Sequence, residues 1–274
     1  MIISIIEQAL IALPLVIGAY LILSLLKLPD FSIESAYLFG AVGAFLVRDL
    51  PIPLVCLSAM GGGIVVGMTV SFLNQFLGLP FLLAAIVTNG LFHGLTQYLL
   101  GTSVISFHLA FPLPELIMLL SIGLLLICTI FLGLRSQLGY SLAIYGNNPL
   151  FFANHNLSGR YVACVGVMIG HGCVGISGFL FAQSNGFVDL TMNFGVILLC
   201  LTAIMVGKLC IRGISRPTIF IPLVGIIAYF MIQQTLLRLG LNLKYFNAFQ
   251  ALFILSVLFL GQKKQSLTLD HLGV

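Results

Sequence analysis

The sequence predicts an all-α polytopic membrane protein, a single helical bundle of about eight to nine transmembrane spans. Three observations predict it. Hydrophobic residues make up 60% of the 274 residues and charged residues 7%, where a soluble domain carries roughly 25% charged. The mean hydropathy is +1.20. From Leu50 to Pro114 there is no Asp, Glu, Lys or Arg, and at about 20 residues per crossing that stretch alone holds two passes. A transmembrane β-barrel would instead show alternating segments of about ten residues, and these do not occur.

The apolar runs fall near 5–26, 36–48, 52–73, 81–100, 114–134, 160–182, 193–208, 217–237 and 246–261. The first lacks a basic leader and is interrupted by Glu7, so it is expected to be retained as a span and not cleaved as a signal. The second is too short for a full crossing and is expected to be broken or tilted; the seventh is also short. The third and sixth hold glycine clusters, Gly61-Gly62-Gly63 with Gly67, and Gly170, Gly172, Gly175 and Gly178. Small residues let helix backbones approach closely in lipid. No residue-level repeat links the two clusters. The chain reads as one transmembrane domain, 1–274, with a loop at 136–159 and a short polar tail.

Polar residues inside spans are few, which makes each a candidate for function. In the fourth span Asn89, His93, Thr96 and Gln97 are grouped on one side by i, i+4 spacing, a candidate translocation path. Interhelical hydrogen bonding is the alternative. His171, among glycines of the sixth span, is a second candidate. No metal-ligand spacing connects these histidines. The six cysteines lie in or at the ends of apolar runs with no CxxC pair and read as small packing residues. Asp30 and Glu34 form an i, i+4 acidic pair expected beside the membrane, as a solvated face or a helix cap.

Lys and Arg set orientation. With the 135–160 loop in the cytoplasm, alternation places Lys27, Arg135, Arg160, Lys208, Arg212, Arg216, Lys263 and Lys264 inside, and only Arg48, Arg238 and Lys244 outside. The N-terminus is then outside and the C-terminus cytoplasmic. The loop itself, YGNNPLFFANHNLSG (145–159), has no charge. Asn148-Pro149 reads as a helix start, because Asn caps free N–H groups and Pro suits the first helical position. Asn156 can adopt the left-handed conformation that ends a helix. The result is a two-turn interfacial helix whose Phe151 and Phe152 rest on the bundle or enter a partner's groove.

That segment, RSQLGYSLAIYGNNPLFFANHNLSGRYV, resembles the cytoplasmic coupling segment of ATP-binding-cassette importer permeases of the branched-chain amino-acid and ribose permease superfamily. The pattern there is R-x-x-x-G-x-x-x-x-A-x-G-x-NP-x-x-A-x-x-x-G-I. Arg135, Gly139, Gly146, Asn148 and Pro149 match it; Phe152 stands in place of Ala, Asn156 in place of Gly and Leu157 in place of Ile. LPDFSIESAYLFGAVGAFLV (28–47) and GISGFLFAQSNGFVDLTMNFGVILLCLTAIMVGK (175–208) are similar to the tryptophan/tyrosine transport permease subgroup, with Lys208 in place of an acidic residue. The resemblance implies a subunit that does no chemistry and binds no cofactor or metal of its own. A separate ATPase would use ATP and grip the segment around Gly146, Asn148, Pro149, Phe151, Phe152 and Asn156. An extracytoplasmic substrate-binding protein would deliver cargo, expected to be an amino acid, and an aromatic one by the subgroup it resembles. The site would be the bacterial inner (plasma) membrane, with a second permease copy, expected as a homodimer, and lipid as further partners and no nucleic acid. The only Gly-Lys in an apolar run, MVGKL (205–209), lacks the spacing of a phosphate loop.

Two rival readings stand beside this one. A secondary transporter or channel would use buried ionisable groups such as His93 and His171. An intramembrane protease, more weakly supported, would use Ser177 in GISG (175–178). His171 lies six residues before it, about 600° around a helix and so on another face, which favours glycine-rich packing.

Overall fold

A computed structural model describes residues 2–109, 114–155, 157–211, 219–241 and 245–257, together with Phe259. Arg212, Arg216, Lys244, Lys263, Lys264 and Asn156, all named above, lie outside the described residues. Helix dominates: α1 (Ile2–Ala19) runs on into a π-helical segment (Tyr20–Leu25), followed by α2 (Ile33–Leu46), α3 (Ile52–Phe76), α4 (Phe81–Leu100), α5 (Glu115–Arg135), α6 (Gln137–Asn147), α7 (Leu150–Asn154), α8 (Gly159–Asn185), α9 (Val196–Cys210) and α10 (Phe220–Arg238), then α11 (Phe246–Val257). Every apolar run predicted from the sequence is occupied by one of these helices. Five of them, Ile3–Leu25, Ile52–Phe76, Glu115–Arg135, Gly159–Asn185 and Phe220–Arg238, are long and apolar enough to cross a membrane.

α8 is the central pillar. It packs on α1, α2 and α3, and its two ends mark the two ends of the bundle. At one end, Gln75 near the end of α3 donates to the carbonyl of Arg160 at 2.9 Å, and α6 and α7 lie here. At the other, β1 (Val104–Ser106) after α4 pairs antiparallel with β2 (Phe187–Asp189) after α8, in the register Val104↔Asp189 and Ser106↔Phe187. Gln183 reinforces this ribbon, accepting from Leu109 N–H at 3.0 Å and donating to Leu109 C=O at 2.9 Å. The loop after the fourth span and the loop holding α7 are thus at opposite ends of the bundle. Among the described residues, Lys27, Arg135, Arg160 and Lys208 gather at the α6–α7 end, and Arg48 and Arg238 at the ribbon end.

The second and seventh spans are short for a stated reason. After the π segment the chain is non-helical from 27 to 32 and re-enters the bundle, so α2 starts beside the midpoint of α8 and runs to the ribbon end. In the second half the chain turns back after β2, and α9 starts beside the first turn of α2 and runs to the other end. Both halves therefore read long helix, interruption, short helix, long helix (α1, α2, α3 and α8, α9, α10), with opposite directions. α1 packs on α9 and α10, as α8 packs on α2 and α3. This is the arrangement of an inverted repeat with discontinuous helices, reached with little residue-level similarity.

Glycine makes the close crossings possible. A Cβ on Gly63 would overlap the carbonyl of His171, and one on Gly18 would overlap the carbonyl of Gly170. Only glycine lets α3 and α1 lie against α8 at this distance.

Candidate functional site

The first turn of α2 is where the halves meet. Asp30 Oδ1 accepts from the Ser32 backbone N–H at 2.8 Å and from its hydroxyl at 2.6 Å. This short polar turn starts the helix where the non-helical segment ends. Ser32 Oγ lies 2.9 Å from His171 Nε2, and Asp30 Oδ2 lies 3.4 Å from the same nitrogen. The other ring nitrogen, Nδ1, sits 2.9 Å from the carbonyl of Val167 one turn back on α8. Asp30, Ser32 and His171 are all buried, with Ser32 and His171 fully inaccessible. Two residues on, the Glu34 carboxylate faces the backbone N–H groups of Gly195 and Ile197 at the start of α9. The free N–H groups of that helix N-terminus carry partial positive charge, which offsets part of what burial costs the carboxylate. Ser35 completes the turn, donating to the Asn89 side chain of α4 and reaching its backbone carbonyl at 3.3 Å. Three side chains of one turn therefore bind α8, α9 and α4.

Asn89 and His171, picked out from sequence, are thus both at the centre, each through a serine of α2. Of the two expectations for Asp30 and Glu34, the solvated face is corrected for Asp30, and the helix cap is the one that agrees with its bonds to Ser32 at the start of α2. Asp30 is buried because the chain re-enters the bundle before α2, and Glu34 caps a neighbouring helix. The signal available in the sequence was the Asp-x-Ser at 30–32 beside a span too short to cross.

The α4 stripe divides. Asn89 and Thr96 turn inward, and Thr96 is 1% exposed; His93 and Gln97 are exposed. At 100° per residue, Thr96 returns to within about 20° of Asn89, whereas His93 and Gln97 drift by about 40° and 80°. The outer face also carries Gly90 and Gly94, where an added Cβ would meet nothing. This outer face of α4 is mainly apolar, with Ile86, Leu91 and Leu95 exposed, and His93, Gln97 and the two glycines form an open strip along it.

The α6–α7 elbow closes one end. Gly139 packs on the Leu134 backbone, and Gly146 packs on the Leu25 carbonyl at the end of the π segment, both without room for a Cβ. Lys27 Nζ donates to Asn147 Oδ1 at 2.7 Å. Asn148 joins α6 to α7 through its backbone, its N–H bonding Ile144 C=O at 2.8 Å and its C=O accepting from Phe151 at 3.1 Å. Pro149 follows at the turn, before the first helical residue. The two phenylalanines differ. Phe152 is 5% exposed, lies against Gly159, and its ring centroid is 6.0 Å from that of Tyr145. Phe151 is half-buried and stacks with exposed His155 at 4.2 Å, beside Leu150 at 70% exposure. Leu150 and Phe151, not Phe152, present apolar surface outward. Sequence periodicity could not separate adjacent phenylalanines in a five-residue helix.

Two further features bear on function. A groove of about 830 Å³ between α3, α5 and α8 is lined by apolar side chains including Cys56, Met60, Leu125, Met168 and Cys173. Its two hydroxyls, Ser121 and Thr129, donate to carbonyls of their own helix. Ser177 is fully buried and donates to the Ile11 carbonyl of α1 at 2.6 Å, which makes it a packing residue. His171 sits instead with Ser32, but Asp30 and Ser32 both face Nε2. A hydrolytic relay needs the carboxylate on one ring nitrogen and the nucleophile on the other.

Interrupted helices that meet at mid-bundle around a buried polar junction describe an all-α multi-pass membrane protein. The chain is 30% identical over 213 residues to a tyrosine transport system permease protein of Clostridioides difficile (strain R20291), covering 75% of this chain and 72% of that one. It belongs to the same transport permease family. It is also 28% identical over 255 residues to an uncharacterized protein of Rickettsia prowazekii (strain Madrid E), covering 88% of this chain and 90% of that one. No family model and no solved structure matches the chain.

Proposed function

We propose that this permease is the membrane subunit of an ATP-binding-cassette importer for an amino acid, with tyrosine or a related aromatic amino acid as cargo. It works in a bacterial inner membrane with the α6–α7 end in the cytoplasm. A separate ATPase docks on α7, a substrate-binding protein docks at the ribbon end, and a second copy completes the pathway along the open strip of α4. The chain binds no cofactor; the ATPase uses ATP.

The observation that carries this reading is the elbow. α7 stands at the end of the bundle with Leu150 and Phe151 turned outward, while its neighbour α6 is seated on the interrupted part of the first crossing. A short helix with an outward apolar anchor, seated on the discontinuity of a span, is suited to passing a partner's movement inward. The similarity to a tyrosine transport system permease protein supports the cargo.

Purification of a tagged chain from its own host membranes tests the proposal. The wild type should bring down a phosphate-loop ATPase, and Leu150→Ala/Phe151→Ala should release it with the permease still folded. A double variant that retains the full complement of ATPase would contradict docking at α7. The buried Asp30–His171 pair favours a second reading, a secondary transporter, since such proteins bury ionisable groups for coupling. Dependence of uptake on ATP separates the two.

A further inference from the structure

We propose that the junction between α1 and α2 is the moving part of this permease, that Asp30, Ser32 and His171 are positioning residues that latch it to α8, and that α6 drives it directly. This rests on the reading of α6–α7 as the coupling segment.

The observations form one continuous chain of contacts. The last turn of the first crossing is π-helical, with Leu26 N–H bonding Leu21 C=O at 3.0 Å and Leu28 N–H bonding Ile22 C=O at 3.1 Å. A π turn is rare and marks functional irregularity in a helix. Lys27 follows at φ 57°, a conformation that costs a non-glycine residue energy and persists only when its surroundings impose it. The surroundings here are α6. Gly146 is pressed on the Leu25 carbonyl, Leu142 and Leu26 meet at Gly166 of α8, and Asn147 holds the Lys27 ammonium. Three residues beyond Lys27 the latch begins.

The latch is strong enough to hold and incomplete enough to release. Ser32 N–H and Oγ both bind Asp30 Oδ1. Asp30 Oδ2 is buried without a hydrogen bond, facing His171 at 3.4 Å. A buried acceptor short of a donor is costly, so a small shift of the 27–32 segment changes the energy of the junction more than a shift between apolar surfaces would. When the elbow moves, Leu25 and Lys27 move with it, and the strain reaches the Asp30–Ser32–His171 cluster. Release of that cluster frees the first turn of α2, which through Glu34 and Ser35 also holds α9 and Asn89.

Hydrogen–deuterium exchange on the purified full-length chain tests this without ATPase or cargo. The Ser32 amide, bonded to Asp30, reports the latch. Asp30→Asn should speed exchange of peptides covering 28–35 by about tenfold or more, the loss of a charge-assisted hydrogen bond. Gly146→Ala, which forces the elbow off Leu25, should speed the same peptides, while the 103–109 ribbon keeps its wild-type rate. Asn147→Ala removes the tether, together with a bond to the Ala143 carbonyl within α6, and serves where Gly146→Ala does not fold. Coupling is reciprocal, so Asp30→Asn should also speed exchange across 145–150. Wild-type exchange at 28–35 in the elbow variants, or in Asp30→Asn, overturns the relay. Because no ATPase is present, failure here is distinct from failure of the importer reading, which co-purification decides.

Discussion

The carboxylate of Asp30 lies 3.4 Å from Nε2 of His171, with both side chains buried at the middle of the bundle. A polar pair at that depth is stable only while each member supplies the other. Removing Asp30 takes the acceptor from the Ser32 N–H and hydroxyl, and removing His171 takes the ring nitrogen from Ser32 Oγ. Asp30→Ala and His171→Ala should each destabilise the chain by about 1–3 kcal/mol. The double variant should cost less than the sum, because the two residues share Ser32 as a partner and belong to one network. Thermal melting in detergent checks both the single losses and the non-additivity.

The adjacent phenylalanines of α7 should separate in their effects. Phe152→Ala empties a buried site and should destabilise the elbow by about 3 kcal/mol or more. Phe151→Ala should leave the melting temperature close to wild type. It should weaken ATPase association by about 2 kcal/mol, or roughly thirtyfold. Melting curves and a titration with the purified ATPase read the two effects independently.

How much of this was legible in the sequence depended on the range of the interaction. The nine apolar helices follow from composition and length. The shortness of 36–48 announced an interruption, because a span that cannot reach across must break or tilt; 193–208 was read as short without that consequence being drawn. A short helix after Asn148-Pro149 was legible because that chemistry is local, but it begins at Leu150 and spans five residues, and α6 before it was not foreseen. What composition hid was the re-entry at 27–32. Asp30 and Glu34 look like water-facing residues until His171, far along the chain, is placed beside them. The α4 stripe was grouped by i, i+4 spacing, yet His93 and Gln97 drift off the buried face that Asn89 and Thr96 keep. The inverted halves were invisible because the backbone path repeats where the side chains do not.

α4 should show that division in function. Asn89→Ala breaks the bond from Ser35 and should lower the melting temperature. His93→Ala and Gln97→Ala should leave it unchanged but slow tyrosine uptake, and His93→Phe should slow it further by filling the strip. Equal uptake in all three outward variants would assign the strip to contact with lipid or the second copy.

The glycine crossings should tolerate no side chain. Gly63→Ala places a methyl on the His171 carbonyl and should destabilise by about 1–3 kcal/mol through overpacking. Gly61→Ala, two residues away with open space around it, should be neutral. Parallel melting curves provide the comparison.

ATP-dependent uptake is the most direct measurement of all. The purified permease with its ATPase and binding protein is placed in proteoliposomes and given radiolabelled tyrosine, with ATP supplied on the ATPase side and a protonophore present. Uptake should require ATP, persist with the protonophore, and fall about tenfold or more in Leu150→Ala/Phe151→Ala as the ATPase is lost. Uptake that proceeds without ATP and collapses with the protonophore would contradict the importer and assign the Asp30–His171 pair to a proton-coupled transporter.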